Sequence, residues 1–465
     1  MFVNKNTWLH KWISKAERPV LYLAVFFHIL EGPTVYHSMT QQPGFFIMPG
    51  RLIDWLTMAA TALLLIMAVL KYEVTITTIK RGAVMLAAYY VAVILWFVFS
   101  LSDQTYVFAF IYYFIVILPM LIVYFCFAVS GKEGNSLFYA FSDIMCVIAA
   151  VSLVFWLLAS VIGVVTTTES IIADWGEVYE YPSYMGIYFE RQTANVFGLT
   201  VQRNQGIFAE APMYDAYLVT ALCVEAYMRP WKKFTAMYGE SPQETRSASV
   251  PRLVLLLLTV VTTLTSSGLV FAAVIACSIF FLYPMNGKYA RRVKIALGAI
   301  LAFAAAAVVI VVIAEKSGSS SFRIRVDDFY ACFRAWSGSP VFGIGCGNTQ
   351  GIINYMSDFR SDNLGLATGA GTVLAQGGLI ATAVYVVPLV TWVVKCVRRR
   401  NWSMLCFAAV AAVLLVTAVI NYTVMMFMML APAYSALCVK DNSAYAVPEK
   451  KPCKRIKERV HVGNR

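Results

Sequence analysis

Three observations predict an all-α polytopic membrane protein of about twelve spanning helices with both termini in the cytoplasm: its composition, its apolar runs and its charge distribution. Hydrophobic residues make up 60% of the 465 residues and charged residues 13%. A soluble globular chain runs near about 45–50% and about 25%. Mean hydropathy is +0.69, too high for a soluble core with an adequate polar surface. Aromatics at 14% and 19 Met exclude a disordered or fibrous chain.

A transmembrane helix needs roughly 20 mostly apolar residues. In chain order the candidates are 19–36, 52–70, 83–101, 106–129, 137–165, 207–228, 253–266, 268–285, 295–314, 371–394, 403–420 and 422–438. The pair 253–266 and 268–285 is divided only at Ser267, and 403–420 and 422–438 hinge near Asn421, so both pairs read as short hairpins or broken spans. His28, Glu31 and Pro33 blur the far end of the first segment. The opening residues carry neither a small-residue cleavage site nor a lipidation motif, which reads as an uncleaved first span.

With the N-terminus inside, 29 of the 37 Lys and Arg residues fall on inner segments and 8 outside, while 15 of the 25 acids lie outside or near outer span ends. The net charge of +12 is therefore a topology signal and not a nucleic-acid footprint. The tail 439–465 contains EKKPCKRIKERVH, which can touch anionic lipid, although a solvated tail is the simpler state. Residues 1–465 read as one integral membrane domain with two long outer loops, 166–206 and 315–370, and chemistry is expected in or under those loops.

Seven of the eight outer cations are Arg, namely Arg51, Arg191, Arg203, Arg323, Arg325, Arg334 and Arg360, beside Lys316. Arg stays charged and binds phosphate or carboxylate bidentately. Pairing with loop acids such as Glu190, Asp327 and Asp328 competes with binding of an anionic ligand for any one of them; for the set, the ligand is favoured. The first loop mixes acids with Trp175, Tyr179, Tyr181, Tyr184, Tyr188 and Phe189, which suits either sugar stacking or an interfacial aromatic belt. Glu210 and Asp215 fall in the outer turns of the sixth span, where ionisable groups default to function, although carboxylates also suit a helix N-terminus. The hydroxyls from Thr262 to Ser267 are helix-packing glue or phosphate donors. In the second loop a short helical stretch, 326–336, carries Arg334. The Phe342-to-Gly347 run resembles GxGxG but lacks the strand–helix context of a dinucleotide site. Cys332 and Cys346, the two outer cysteines, can form a disulfide or stay free, and no Cys/His cluster offers a metal site.

The order of these pieces resembles the O-antigen ligase and O-antigen polymerase superfamily of bacterial inner-membrane glycosyltransferases. Four blocks carry the resemblance: RNQGIFAEAPMYDAYL (203–218), LTSSGLVFAAV (264–274), RAWSGSPVFGIGCGN (334–348) and SDNLGLATGAGTVLAQGGLIA (361–381). They are similar to the family's Arg-x-x-Gly-Ile-Phe-x-Glu, Thr-x-Ser-x-x-Gly, Asn-Pro-Leu-Phe-Gly-x-Gly and terminal Gly-Leu-Leu-Gly blocks, and Arg334 to Gly345 matches an Arg-x10-Gly signature of some polymerases. Together they cover about residues 190–395.

The resemblance implies a GT-C-like membrane fold in the bacterial cytoplasmic membrane. It also implies a polyprenyl (undecaprenyl) diphosphate-linked oligosaccharide as substrate, no cofactor or metal, and a chain-length regulator and a flippase as pathway partners. On that basis Arg203, Arg323 and Arg325 are expected at the diphosphate, with Arg191 and Arg334 behind them. Glu210 would position Arg203 or activate the acceptor, with Asp327 and Asp328 as rivals, and Tyr214, Ser266 and Asn363 would complete the substrate contacts. One departure favours polymerisation over ligation: ligases typically carry His-Asn where this chain has Asp362-Asn363. The alternatives are ligase-type glycan transfer to lipid or protein, a transporter, and a metal-dependent transferase using polyprenyl-phosphate sugars. The loop KYEVTITTIKRG lacks the Gly-rich basic signature of major-facilitator carriers, and HSMTQQPGFFIMPG lacks the acidic pair of the metal-dependent enzymes.

Overall fold

The computed structural model describes residues 8–40, 49–175, 178–196, 198–229, 248–282, 320–360 and 364–439, with scattered positions between 292 and 299. Five described helices are long and apolar enough to cross a membrane: α3 (Pro49–Lys71), α4 (Ile76–Ser100), α5 (Val107–Ser130), α6 (Ser136–Val161) and α12 (Gly369–Arg398). α1 (Trp8–Leu30) starts well before the apolar segment expected at 19–36 and stops at Gly32-Pro33, after which Thr34 caps the single turn α2 (Val35–Ser38). Pro33 disfavours helical backbone at the residue before it, which accounts for the early stop. Most of the expected span 295–314 and of the tail lies outside the described residues.

Two helices are buried on nearly all sides and form the centre. α7 (Ala211–Cys223, continued by a π-helical turn Val224–Met228) leaves only Pro212 partly exposed. α14 (Val424–Cys438) leaves only Leu437. A helix apolar all round belongs inside a bundle. α6, α8 (Val250–Thr262), α9 (Ser266–Leu282) and α13 (Trp402–Thr417) pack on α7; α4, α5 and α12 pack on α14. Glu31 Oε2 accepts from the Val424 backbone N–H at 3.1 Å, so a buried carboxylate caps the start of α14. The outer helices turn Val84, Val91, Ile94, Val98 and Leu63 outward, an apolar belt suited to lipid.

The breaks in the short helices differ slightly from the expected ones. The first lies at 263–265, not at Ser267, and the second spans 418–423 around Asn421.

The all-α expectation needs one amendment. The loop 166–206 folds into an antiparallel three-stranded sheet, β1 (Glu169–Asp174), β2 (Val178–Tyr184) and β3 (Tyr188–Phe189), and a hairpin, β4 (Thr193–Val196) and β5 (Leu199–Gln202). Its aromatic and β-branched residues suit strands. The sheet buries Ile171, Ala173, Tyr181 and Phe189 against Val35 and Ala209, so these aromatics form a small second core.

The loop 315–370 is more helical than expected. α10 (Ser320–Gly338) extends well beyond 326–336 and is followed by the single turn α11 (Gln350–Ile353). The glycine run 343–347 docks on a break in α12. Gly378 takes φ +58 and interrupts that helix. Ile344 and Gly345 backbone N–H groups donate to the Ala375 and Gln376 carbonyls, each at 3.0 Å. Beyond the break, Leu379 and Ile380 N–H groups donate to the Pro340 and Val341 carbonyls at 3.0 and 3.2 Å. Gly343 and Gly345 hold φ of +74 and +106, and a Cβ at Gly343 would strike the Gln376 backbone. The run is a backbone stitch across a helix break.

Candidate functional site

A cleft opens at the sheet-bearing end of the bundle, over the start of α7. It encloses about 530 Å³, its open mouth included. Glu210, Met213 and Asp215 line it from α7, Ser267 and Phe271 from α9, Arg325 from α10, and Leu414, Thr417 and Ala418 from the end of α13. With Leu366 and Ala367, five stretches of chain thus meet around two carboxylates, two hydroxyls, a guanidinium and an apolar wall.

The local geometry leaves Glu210 unengaged. It occupies the N-cap of α7 with extended backbone (φ −142, ψ 147), yet its side chain makes no capping bond. Gln192, just ahead of β4, does that work: its Oε1 accepts from the Ala211 N–H at 3.0 Å. The Gln192 carbonyl also accepts from the Arg203 backbone N–H at 2.8 Å, so one residue ties both Arg203 and the head of α7 to the sheet lobe.

Arg203 sits beside the cleft rather than among the residues lining it. Its Nε donates to the Thr263 carbonyl at 2.9 Å, at the end of α8. Burial lowers its affinity for a proton, and the Asp215 and Glu210 carboxylates oppose that. Asn204 anchors the same loop: its backbone N–H donates to the Thr262 carbonyl and its Nδ2 to Thr262 Oγ1, both at 3.0 Å. Arg325 reaches the cleft from α10 and donates from Nη1 to the Thr417 carbonyl at 3.3 Å, at the end of α13.

The other sequence-predicted residues are placed elsewhere. Arg323 lies two residues from Arg325 on a helix, and residues two apart do not share a helix face. It is exposed, with its guanidinium 4.6 Å from the Phe359 ring centroid. Arg334 is exposed too and donates to the Tyr330 hydroxyl at 2.8 Å. Arg191 lies on the sheet lobe, stacked over Tyr179 at 3.2 Å from the ring centroid.

Asp327 and Asp328 are not among the residues lining the cleft. Asp327 accepts from the Ser357 hydroxyl at 2.5 Å and N–H at 3.2 Å; Asp328 accepts from Arg360 Nη1 at 2.6 Å and the Ala367 N–H at 2.9 Å. Arg360, nearly fully buried, also donates to the Ile324 and Gly365 carbonyls. These groups fasten α10 to the following loop. Tyr214 is buried against Phe208, with its hydroxyl 2.7 Å from Ser152 Oγ. Ser266 is not among the cleft's lining residues, whereas its neighbour Ser267 is. Asn363 lies outside the described residues. Cys332 and Cys346 are buried free thiols.

Sequence reasoning missed Gln192, whose role depends on a contact 19 residues away. It also gave Gly268 no role. A Cβ there would collide with Asp215 Oδ1 and Thr265 Oγ1, so the glycine clears space for a carboxylate. Among the described residues no group of three or more His, Cys, Asp or Glu could hold a metal ion. No protein-family model matches this chain, and no curated protein matches it in sequence.

Proposed function

We propose that this protein is a glycosyltransferase that polymerises polyprenyl-diphosphate-linked oligosaccharide repeats into a surface polysaccharide on the outer face of the bacterial cytoplasmic membrane. The observation that carries the proposal is the meeting of Glu210, at the N-cap of α7, and Arg325, on α10, in one cleft with an apolar wall. The likeness of the 203–218 and 264–274 blocks to the O-antigen polymerase superfamily supports it from the sequence side.

In this reading the acceptor sugar's hydroxyl attacks the anomeric carbon of the donor, the bond to the diphosphate breaks, and polyprenyl diphosphate leaves. Negative charge grows on the leaving oxygen. Arg325 and Arg203 stabilise it without a metal, as fixed cations aimed where charge develops. Glu210, whose side chain makes no capping bond, takes the proton from the attacking hydroxyl. Phe271, Met213 and Leu414 offer the lipid-proximal end of the donor an apolar surface.

The test is polymer size. Deleting the gene in its host should remove long polymer and accumulate single lipid-linked repeats, and Arg203→Ala or Arg325→Ala should fail to restore polymer while expressing normally. Full-length polymer retained on its lipid carrier would point instead to ligase-type transfer. Unchanged glycan would overturn the proposal.

A further inference from the structure

α10 has two unlike faces. Asp328, Ala331, Cys332 and Ala335 are buried, and the three apolar ones pack with Ile352 and Ala375 in a small core against α12. On the opposite side Val326, Phe329 and Phe333 stand 53%, 44% and 55% exposed. Their spacing of three and four residues puts them on one stripe. Arg323 and Arg334, about three helical turns apart, flank that stripe on one side. Both are exposed, and their guanidiniums rest on rings, 4.6 Å from the Phe359 centroid and 4.3 Å from that of Tyr330. Among the described residues neither pairs with a carboxylate.

The two ends of α10 are held at a similar height. Towards its start, Arg325 donates to the Thr417 carbonyl at the end of α13. Near its end, Trp336 Nε1 donates to the Pro340 carbonyl at 2.9 Å, which also accepts from the Leu379 N–H just past the break in α12. α12 and α13 are joined by the turn at 399–401. From that turn, at 1.5 Å per residue, α13 rises about 24 Å to Thr417 and α12 about 30 Å to Leu379. The hydrocarbon of a bilayer is about 30 Å thick. α10 therefore lies across the bundle, where hydrocarbon gives way to headgroups.

The stripe also joins the lipid-facing belt. Phe99, at the end of α4, and Leu379 are exposed beside Val98. Phe342 stacks on Phe99 at 4.7 Å between ring centroids, and Trp336 lies 5.2 Å from Phe333. Apolar surface thus leads from α4 through the 336–342 turn onto α10.

We propose that α10 is an interfacial helix, seated in the outer leaflet through Val326, Phe329 and Phe333, with Arg323 and Arg334 against lipid phosphates. An amphipathic helix with aromatic residues on one side and cations beside them binds a membrane surface in this way. Arg stems cover apolar surface while their heads reach the headgroups, and Trp336 suits the same level. The proposal needs the membrane-spanning bundle and not the polymerase reading. Arg325 leaves the other flank of the helix for the cleft, so the leaflet fixes the height of a cleft-lining cation.

The test is photo-cross-linking. Full-length protein carrying benzoylphenylalanine at Phe329, at Phe333 or at the lipid-facing Val98 is reconstituted into vesicles of phosphatidylethanolamine and phosphatidylglycerol in equal parts, irradiated and read by mass spectrometry. All three positions should yield lipid adducts. At Phe333 the anionic lipid should be enriched about fivefold over its share, the effect of one cation near a headgroup. Arg323→Gln combined with Arg334→Gln should abolish that enrichment and keep the adducts.

Adducts at Val98 with none at Phe329 or Phe333 would place the stripe in water and overturn the proposal. Cross-links from Phe329 or Phe333 to a second copy of the chain would do so too, by making the stripe a contact between copies. Lipid adducts in the vesicle's own proportions, unchanged in the double variant, would remove the arginines from the headgroups.

Discussion

Arg325 and Arg360 belong to the same loop sequence, 315–370, and have different surroundings: Arg325 lines the cleft and Arg360 is buried in an ion pair. Replacing each by Ala separates the two. Arg360 is nearly fully buried, with Nη1 2.6 Å from Asp328 Oδ1 and 3.1 Å from the Ile324 carbonyl, and Nη2 2.8 Å from the Gly365 carbonyl. Removing one partner of a buried ion pair costs about 3–5 kcal/mol, because the other charge stays buried. An unfolding entropy near 2.1 cal/mol/K per residue makes that roughly a 3–5 °C fall in the unfolding midpoint for a chain of this length. Arg325 is half-buried, and its hydrogen bond is one 3.3 Å contact to the Thr417 carbonyl. A neutral or singly charge-assisted bond of that length contributes about 1 kcal/mol or less. Arg325→Ala should therefore shift the midpoint by about 1 °C at most. In turnover the order reverses. Removing one preorganised group that faces developing negative charge costs about 10²–10³-fold in rate. The assay pairs thermal unfolding of each purified variant with polymer length in the complemented deletion host. The reasoning is refuted if Arg325→Ala is as destabilised as Arg360→Ala, or if it still makes wild-type polymer.

Two further outcomes follow from the geometry. Gln192→Ala removes the acceptor for the Ala211 N–H and should cost about 1 kcal/mol; carbodiimide labelling of Glu210, read by mass spectrometry, should fall as its carboxylate turns back to cap α7. Gly268→Ala forces a Cβ onto Asp215 and Thr265 and should destabilise by about 1–3 kcal/mol, seen as a lower unfolding midpoint.

The helices were legible because their signal is composition over twenty residues, which tertiary context rarely overrides. Glu210 stood out in the sequence because ionisable residues in the outer turns of a span are expensive and need a purpose, and Arg325 because it is one of few cations expected outside. The sheet lobe was not. Tyr181, Tyr184 and Tyr188 read equally well as a membrane belt or a sugar platform, and only the pairing of β1 with β2 turns Tyr181 into the core. The roles of Asp327 and Asp328 depended on Arg360, about thirty residues away, and no local pattern announces such a partner. Arg323 and Arg325 alternate with apolar residues in a way that imitates a strand; once the segment is helical, two residues' separation sends them to different sides.

The two arginines nearest the cleft also explain why the helices beside it are short. At 1.5 Å per residue, the 13 residues of α8 span about 20 Å and the 16 of α13 about 24 Å. Neither crosses about 30 Å of hydrocarbon. In the proposed topology their ends are sunk below the outer surface, and irregular backbone at that depth is tolerated only inside protein or along a water-filled cavity. Arg203 donates to the carbonyl at the end of α8, and Arg325 to the carbonyl at the end of α13. A guanidinium at a helix C-terminus answers orphaned carbonyls and the negative end of the dipole. Each of these bonds uses one N–H, and a guanidinium has five. Among the described residues the remaining donors take no hydrogen-bond partner, and in the proposed reading they serve an anion at or beside the cleft. The broken helices thus lower the site into the membrane and supply the carbonyls that fix its cations, which a pair of full-length spans in the same place would not do.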